Sequence, residues 1–282
     1  KRIAPDGLEF LKFGKADTDF ISILFCDIRS FTSLSEKMSP QELVDFLNDF
    51  FKRMTEPISN NKGFVDKFIG DGVMALFSIP EEPNAADALN SVIAAISMQQ
   101  QIDSFNKDNK MAEEKRLRIG IGIHSGPVII GTVGSEERME STVTGDTVNL
   151  ASRLEGLTKF YRSKILISQS TYEFIDSESS FEFRELDLVK VKGKDKPVTI
   201  FEVCNSDPEP IREQKLGSRE KFAEALKDYR SQKWTAAMTK FKNCLKECPD
   251  DGAAELHLER CKSFKKTPPP KDWKGEQVFT QK

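Results

Sequence analysis

The sequence predicts an α+β fold, an antiparallel sheet covered by helices, and three observations carry that prediction. Apolar runs and amphipathic stretches follow one another in the order strand, helix, hairpin, helix, hairpin, helix, then further strands. An Asp-Gly step at Asp71-Gly72 supplies the positive φ of a tight turn between two short apolar runs. Residues 117–124 alternate apolar and non-apolar with the period of two that marks a half-buried strand.

Taken in order, the first strand is Ile21–Cys26, an apolar run that ends in Asp27. Ser39-Pro40-Gln41-Glu42 reads as a capping box with proline at the first helical position, and Leu43, Phe46, Leu47, Phe50, Phe51 and Met54 follow at helical spacing. Phe64–Phe68 and Val73–Phe77 form a hairpin around Ile69-Gly-Asp-Gly72. A second helix starts near Asn84 with Leu89, Val92, Ile93 and Ile96 on one face, and residues 107–116 are polar loop. After the alternating strand, Gly126-Pro127 is expected to turn the chain into a further strand, Val128–Ile130. A third helix begins near Thr147 with Leu150, Leu154 and Leu157 inward, and strands Phe181–Val191 and Val198–Val203 flank the turn 192–196.

With 282 residues the chain is long for one average domain, and two units are expected. After residue 205 the composition shifts to helix formers. Trp234, Ala236, Ala237, Phe241, Leu245, Pro249 and Ala253 resemble one tetratricopeptide-type repeat, whose apolar face must pack on the preceding domain or on a protein partner. The expected organisation is a lead-in over 1–17, a main domain over 18–205, a small helical appendage over 206–265 and an extended tail over 266–282.

Composition excludes several classes. Lys plus Arg is 42 against 45 for Asp plus Glu, so no net field draws the chain to nucleic acid or an anionic membrane, and a small-molecule substrate is expected. Five cysteines without a C-x-x-C pair suggest reduced thiols and a cytoplasmic setting. Two histidines make a His-based zinc site a poor expectation. No run approaches the ~20 apolar residues of a membrane helix. The first residue is Lys1, so an upstream segment holding a sensor or a membrane anchor is expected.

Asp27 ends a buried strand and Asp71 lies at a hairpin tip, so an antiparallel sheet of this order can set them side by side. Paired carboxylates suit Mg²⁺, which takes oxygen ligands and leaves its other positions to water and phosphate. Read singly, each is equally a turn aspartate. Asn149 and Arg153 are four apart and project from one helix face, opposite the leucines.

Phe25-Cys-Asp-Ile-Arg-Ser-Phe-Thr32, Phe68-Ile-Gly-Asp-Gly-Val-Met-Ala-Leu-Phe77 and Gly145-Asp-Thr-Val-Asn-Leu-Ala-Ser-Arg153 resemble, in order and spacing, three signature blocks of the class III adenylate and guanylate cyclases. The resemblance spans about residues 18–203 and implies the ferredoxin-like catalytic fold of that family. It implies that Asp27, Ile28 and Asp71 hold two Mg²⁺ (or Mn²⁺) ions per site, that Asn149 orients the ribose, and that Arg153 stabilises charge at the α-phosphate. Lys67 and Thr142 fall where the family selects the base, in the combination that goes with ATP; a lysine donates to N1 of adenine but meets a hydrogen on N1 of guanine. Lys194, or alternatively Lys192, resembles the lysine at the terminal phosphates, while Arg29 reads equally as a surface residue.

In the family the aspartates of one chain face the Lys, Thr, Asn and Arg of another, so this chain, which has both sets, is expected to form a homodimer with two shared sites. The expected activity is formation of cyclic AMP and diphosphate from ATP. Guanylate cyclase activity and a non-catalytic nucleotide-binding scaffold are the alternatives.

Overall fold

The computed structural model describes residues 16–78, 84–134, 139–175, 180–191, 196–270 and 272–279. The elements are β1 (Ala16–Ile28), α1 (Phe31–Ser35), α2 (Pro40–Asn60), β2 (Phe64–Ile69), β3 (Gly72–Phe77), α3 (Asn84–Asp108), β4 (Ile119–Gly134), β5 (Met139–Thr144) and α4 (Asp146–Tyr161). They continue as β6 (Ile165–Ser168), α5 (Gln169–Glu173), β7 (Phe183–Val191), β8 (Val198–Val203), α6 (Glu209–Gly217), α7 (Arg219–Arg230), α8 (Trp234–Glu247), α9 (Gly252–Lys266) and β9 (Glu276–Phe279). The mixture of sheet and helices is the α+β class the sequence predicts. Two compact units result, Lys1–Glu155 with Ser170–Ser179, and Gly156–Gln169 with Ser180–Lys282.

In the first unit the strand order is β2-β3-β1-β4, with β5 on the far part of β4, all antiparallel. β1 is the central strand, paired along both edges and buried on both faces, which is why Ile21–Cys26 reads as a continuous apolar run. Ile21 and Ile23 on one face join Met74, Leu76, Val128, Ile130, Val143 and Ala151 of α4 in a core cluster. α2 starts at the predicted capping box: Ser39 Oγ accepts from the Glu42 amide at 3.4 Å, and the Ser39 amide donates to Glu42 Oε2 at 2.8 Å. α3 packs on β1, β3 and β4, and α2 on β2 and β3.

The expected turn at Gly126-Pro127 does not occur. β4 runs unbroken through it, with Gly126 paired to Ile21 and Pro127 to Phe20. The glycine serves a close approach instead of a turn, because a Cβ there would lie 2.7 Å from Thr147 Oγ1. Thr147 Oγ1 donates to the Pro127 carbonyl at 2.6 Å and pins the start of α4 on β4. Further along, a Cβ on Gly122 would lie 2.1 Å from the Glu155 amide nitrogen and 2.6 Å from the Ala151 carbonyl oxygen, so backbone of α4 rests directly on β4 there.

In the second unit the order is β6-β8-β7-β9, antiparallel except for the parallel pair β7 and β9. The segment after residue 205 is helical, as its composition predicts, and α6–α9 belong to this same compact unit. Buried charges lie within it. Arg184 of β7 donates to Glu202 Oε1 at 2.5 Å and, through both terminal nitrogens, to Asp251 at 2.6 and 2.8 Å; Lys215 of α6 donates to Glu202 at 3.0 Å and Asp207 at 2.6 Å. Burial alone would raise the Glu202 pKa, but the Arg184 and Lys215 cations outweigh it and hold it at about 2. Asp251 also caps α9 by accepting from the Ala254 amide.

Breaking one partner of such a network leaves a buried charge uncompensated. Asp251→Ala is therefore expected to lower the unfolding free energy by about 3 kcal/mol, measured by urea denaturation. Truncation after residue 205 removes Lys215 and Asp251 together and strips α7 and β9 from β7, and a lower melting temperature with reduced solubility is expected, read by calorimetry and sedimentation.

Candidate active site

Asp27 is the penultimate residue of β1, and Asp71 sits in the two-residue turn between β2 and β3. Because β3 pairs with β1 with Cys26 opposite Val73, the β2–β3 tip lies alongside the end of β1. The positive φ that the turn needs, 63°, falls on Gly70 and not on the expected Asp71-Gly72 step, since Gly72 already opens β3. The Ile28 amide donates to Asp71 Oδ2 at 3.3 Å, bringing the two carboxyl groups together. Burial, a hydrogen bond with Asp71 and the Asp71 and Glu155 charges raise the Asp27 pKa from the usual carboxylate range to about 7. Two carboxylates this close resist ionising together.

Lys67 and Thr142 also meet, with Lys67 Nζ 3.5 Å from Thr142 Oγ1. Neighbouring residues of a strand normally face opposite sides, yet Lys67 Nζ also lies 3.2 Å from Asp66 Oδ2. A register shift between Val65 and Lys67 accounts for it, since the residue left unpaired by a bulge can swing toward its neighbour. The Asp66 side chain is buried, and burial raises its pKa against the opposing pull of Lys67.

Asn149 is exposed and Arg153 half-buried on α4, while Leu150, Leu154 and Leu157 are buried, as the helical spacing predicts. Among the described residues neither Asn149 nor Arg153 makes a hydrogen bond or ion pair with Asp27 or Asp71. Lys194 and the alternative Lys192 lie outside the described residues. Arg29, two residues past Asp27, is half-buried and pairs with Glu155 of α4, Nη1 to Oε1, at 3.2 Å. Burial lowers its pKa against the support of Glu155 and Asp27.

The Asp27 and Asp71 carboxylates, with the neighbouring Ile28 backbone, make an all-oxygen set of the kind hard divalent cations take. Among the described residues no three or more His, Cys, Asp or Glu are grouped to hold a metal, so a cation here completes its shell with water and substrate oxygens, as Mg²⁺ commonly does. A divalent charge would also favour the ionised form of Asp27 against burial and the neighbouring acidic groups that raise its pKa.

Residues 14–203 match the family model described as the adenylate and guanylate cyclase catalytic domain. The chain belongs to the class III nucleotidyl cyclase family. It is 48% identical over 206 residues to an adenylate cyclase of Anabaena cylindrica, covering 71% of this chain and 40% of that protein. It is 39% identical over 260 residues to the terminal-differentiation-specific adenylate cyclase of Dictyostelium discoideum, covering 92% of this chain and 12% of that protein. The chain thus spans well under half the length of these relatives. The solved adenylyl cyclase CyaB of P. aeruginosa superposes with a TM-score of 0.60 at 33% identity, covering 67% of this chain and 95% of that one. Guanylyl cyclases are also among the similar solved structures, so likeness to this cyclase family leaves the base open.

Sequence reasoning left Arg29 as a surface candidate and did not single out Glu155 or Asp66. Glu155 follows Arg153 by two residues, off the face that drew attention, and the bulge that turns Asp66 inward has no glycine to announce it. The repulsion at the pair has a sign. The folded-state pKa of Asp27 is raised, so its stabilising contribution is complete below the unfolded carboxylate pKa and is lost as pH climbs from about 4 through about 7. Asp71→Asn is accordingly expected to stabilise the cation-free protein above pH 7 by about 1 kcal/mol, after allowance for solvent screening at this half-exposed site. Melting curves at pH 5 and pH 8, in chelator, check this: the gain appears only at the higher pH.

Proposed function

We propose that the chain is the catalytic domain of an adenylate cyclase that converts ATP to 3′,5′-cyclic AMP and diphosphate at sites shared between two copies. The observation that carries the choice of ATP is the 3.5 Å approach of Lys67 Nζ to Thr142 Oγ1. Together they offer a fixed donor for adenine N1 and a hydroxyl able to accept from the N6 amino group; guanine presents a hydrogen at N1 and an oxygen at C6, the reverse pattern.

Asp27, Asp71 and the Ile28 backbone hold the cations and Arg153 donates to the α-phosphate oxygens as charge builds there, while Asn149 fixes the ribose and Lys194 meets the terminal phosphates. Two Mg²⁺ or Mn²⁺ ions held there would lower the pKa of the ribose 3′ hydroxyl and take up triphosphate charge. The 3′ hydroxyl gives its proton to water or to a phosphate oxygen, its oxygen attacks the α-phosphorus in line, and the bond to the departing diphosphate breaks on the opposite side. The shared-site arrangement is supported by Phe68 and Ile69, about half exposed beside Asp71, where a second copy would cover them. Among the described residues no helix is long and apolar enough to cross a membrane. Five buried, reduced cysteines support a cytoplasmic setting, with an upstream sensor and a protein partner for the helical segment as further parts of the reading.

The test is product identification. Purified protein at high concentration, given ATP or GTP with Mn²⁺ or Mg²⁺, is expected to yield cyclic AMP, and Asp71→Ala to yield none. Cyclic GMP as main product would reverse the base assignment, and no product from a demonstrated dimer would favour a nucleotide-binding scaffold. Lys67→Glu with Thr142→Cys is expected to move the ATP-to-GTP ratio of kcat/KM toward GTP by at least about tenfold, since each lost or mismatched hydrogen bond is worth about 1–3 kcal/mol.

A further inference from the structure

Arg29 stands where a guanidinium endangers a cation site. It follows Asp27 by two residues, and its amide still donates to the Arg118 carbonyl at 2.8 Å, so the strand geometry extends to it and its side chain leaves on the Asp27 side of the sheet. The chain departs from that geometry only at Ser30, with φ of 56°. Arginine favours planar, two-pronged pairing with carboxylates, and this one is near enough to Asp27, which Asp71 adjoins, for their charges to interact. Such a pairing would neutralise them and shut out a divalent ion.

The structure shows the arginine turned elsewhere. Nη1 bonds Glu155 Oε1 at 3.2 Å, and Nη2 is buried with no hydrogen-bond partner. The fit is loose beside that of Arg184 in the same chain, whose terminal nitrogens bond Asp251 at 2.6 and 2.8 Å. Glu155 is placed by the backbone contact of α4 with Gly122, a contact that only glycine allows.

We propose that Glu155 is a positioning residue that draws Arg29 away from Asp27 and Asp71 and so keeps both carboxylates available to divalent cations. The inference rests on the reading of the aspartates as the cation site. A purely structural ion pair is damaged by loss of either partner, because each loss leaves the other charge buried and uncompensated. An anchor behaves asymmetrically: removing Glu155 releases the arginine onto the carboxylates, whereas removing the arginine makes the anchor unnecessary.

The experiment is Mn²⁺ titration of the full chain without nucleotide, followed by the electron paramagnetic resonance signal of free Mn²⁺, for the parent, Glu155→Gln, Arg29→Met, the double variant and Asp71→Asn. Glu155→Gln is expected to raise the half-saturating Mn²⁺ concentration about tenfold, as one released cation beside the site would do. Arg29→Met is expected to bind Mn²⁺ as tightly as the parent or more so, and the double variant to return to within about twofold of the parent. An unchanged Glu155→Gln, a double variant as weak as Glu155→Gln, or an Arg29→Met that weakens binding to the same degree overturns the proposal. Arg29→Met alone decides the matter if Glu155→Gln does not fold. Asp71→Asn separates the two readings: if the parent shows no Mn²⁺ binding that this change abolishes, the cation site falls and this inference with it.

Discussion

Asp27 and Asp71 set two acidic groups side by side in partial burial, and much of the first unit can be understood as the framework that holds them there. β1 is gripped along both edges by β3 and β4 and buried on both faces, so its end cannot drift. The β2–β3 tip is brought beside it by the register of β3 on β1, and the Ile28 amide ties Asp71 to the strand that carries Asp27. The result is a site whose cation-free state is strained by burial and like charge, and in which a divalent ion is the natural compensation.

α4 works in the same frame. It is fastened to β4 at Thr147 and rests on Gly122, where side-chain bulk is forbidden. That fixes the height at which Asn149, Arg153 and Glu155 project. The second unit is secured differently, by the buried charges of Arg184, Glu202, Lys215, Asp207 and Asp251, which join β7 and β8 to α6 and the start of α9. Arg184 also lies over the Phe222 ring, 4.3 Å from its centroid, so α7 is held to β7 by the same side chain.

Much of this was legible in the sequence, and for identifiable reasons. The capping box at Ser39 and the leucines of α4 are local signals whose elements lie where they put them; the β2–β3 hairpin also forms, but its turn is Gly70-Asp71 with the positive φ at Gly70, one step before the Asp71-Gly72 dipeptide that announced it. β5 and β6 went unread, the latter only four residues long. Gly126-Pro127 misled because the dipeptide carries a turn signal, while the glycine is there for the approach of Thr147. Asp27, Asp71, Lys67, Thr142, Asn149 and Arg153 could be singled out because three motifs lie in register. The Arg29–Glu155 pair and the charges around Arg184 join residues distant in sequence, and no local pattern announces such partners.

The central claim is that each reaction centre combines Asp27 and Asp71 of one chain with Asn149 and Arg153 of another. Mixing Asp27→Ala with Arg153→Ala, each inactive alone, tests it most directly, because a heterodimer then holds one intact site and one doubly impaired site. The account predicts recovery of cyclic AMP formation to about a quarter of the parent rate for random pairing. Heterodimers demonstrated by native mass spectrometry but without activity would contradict it.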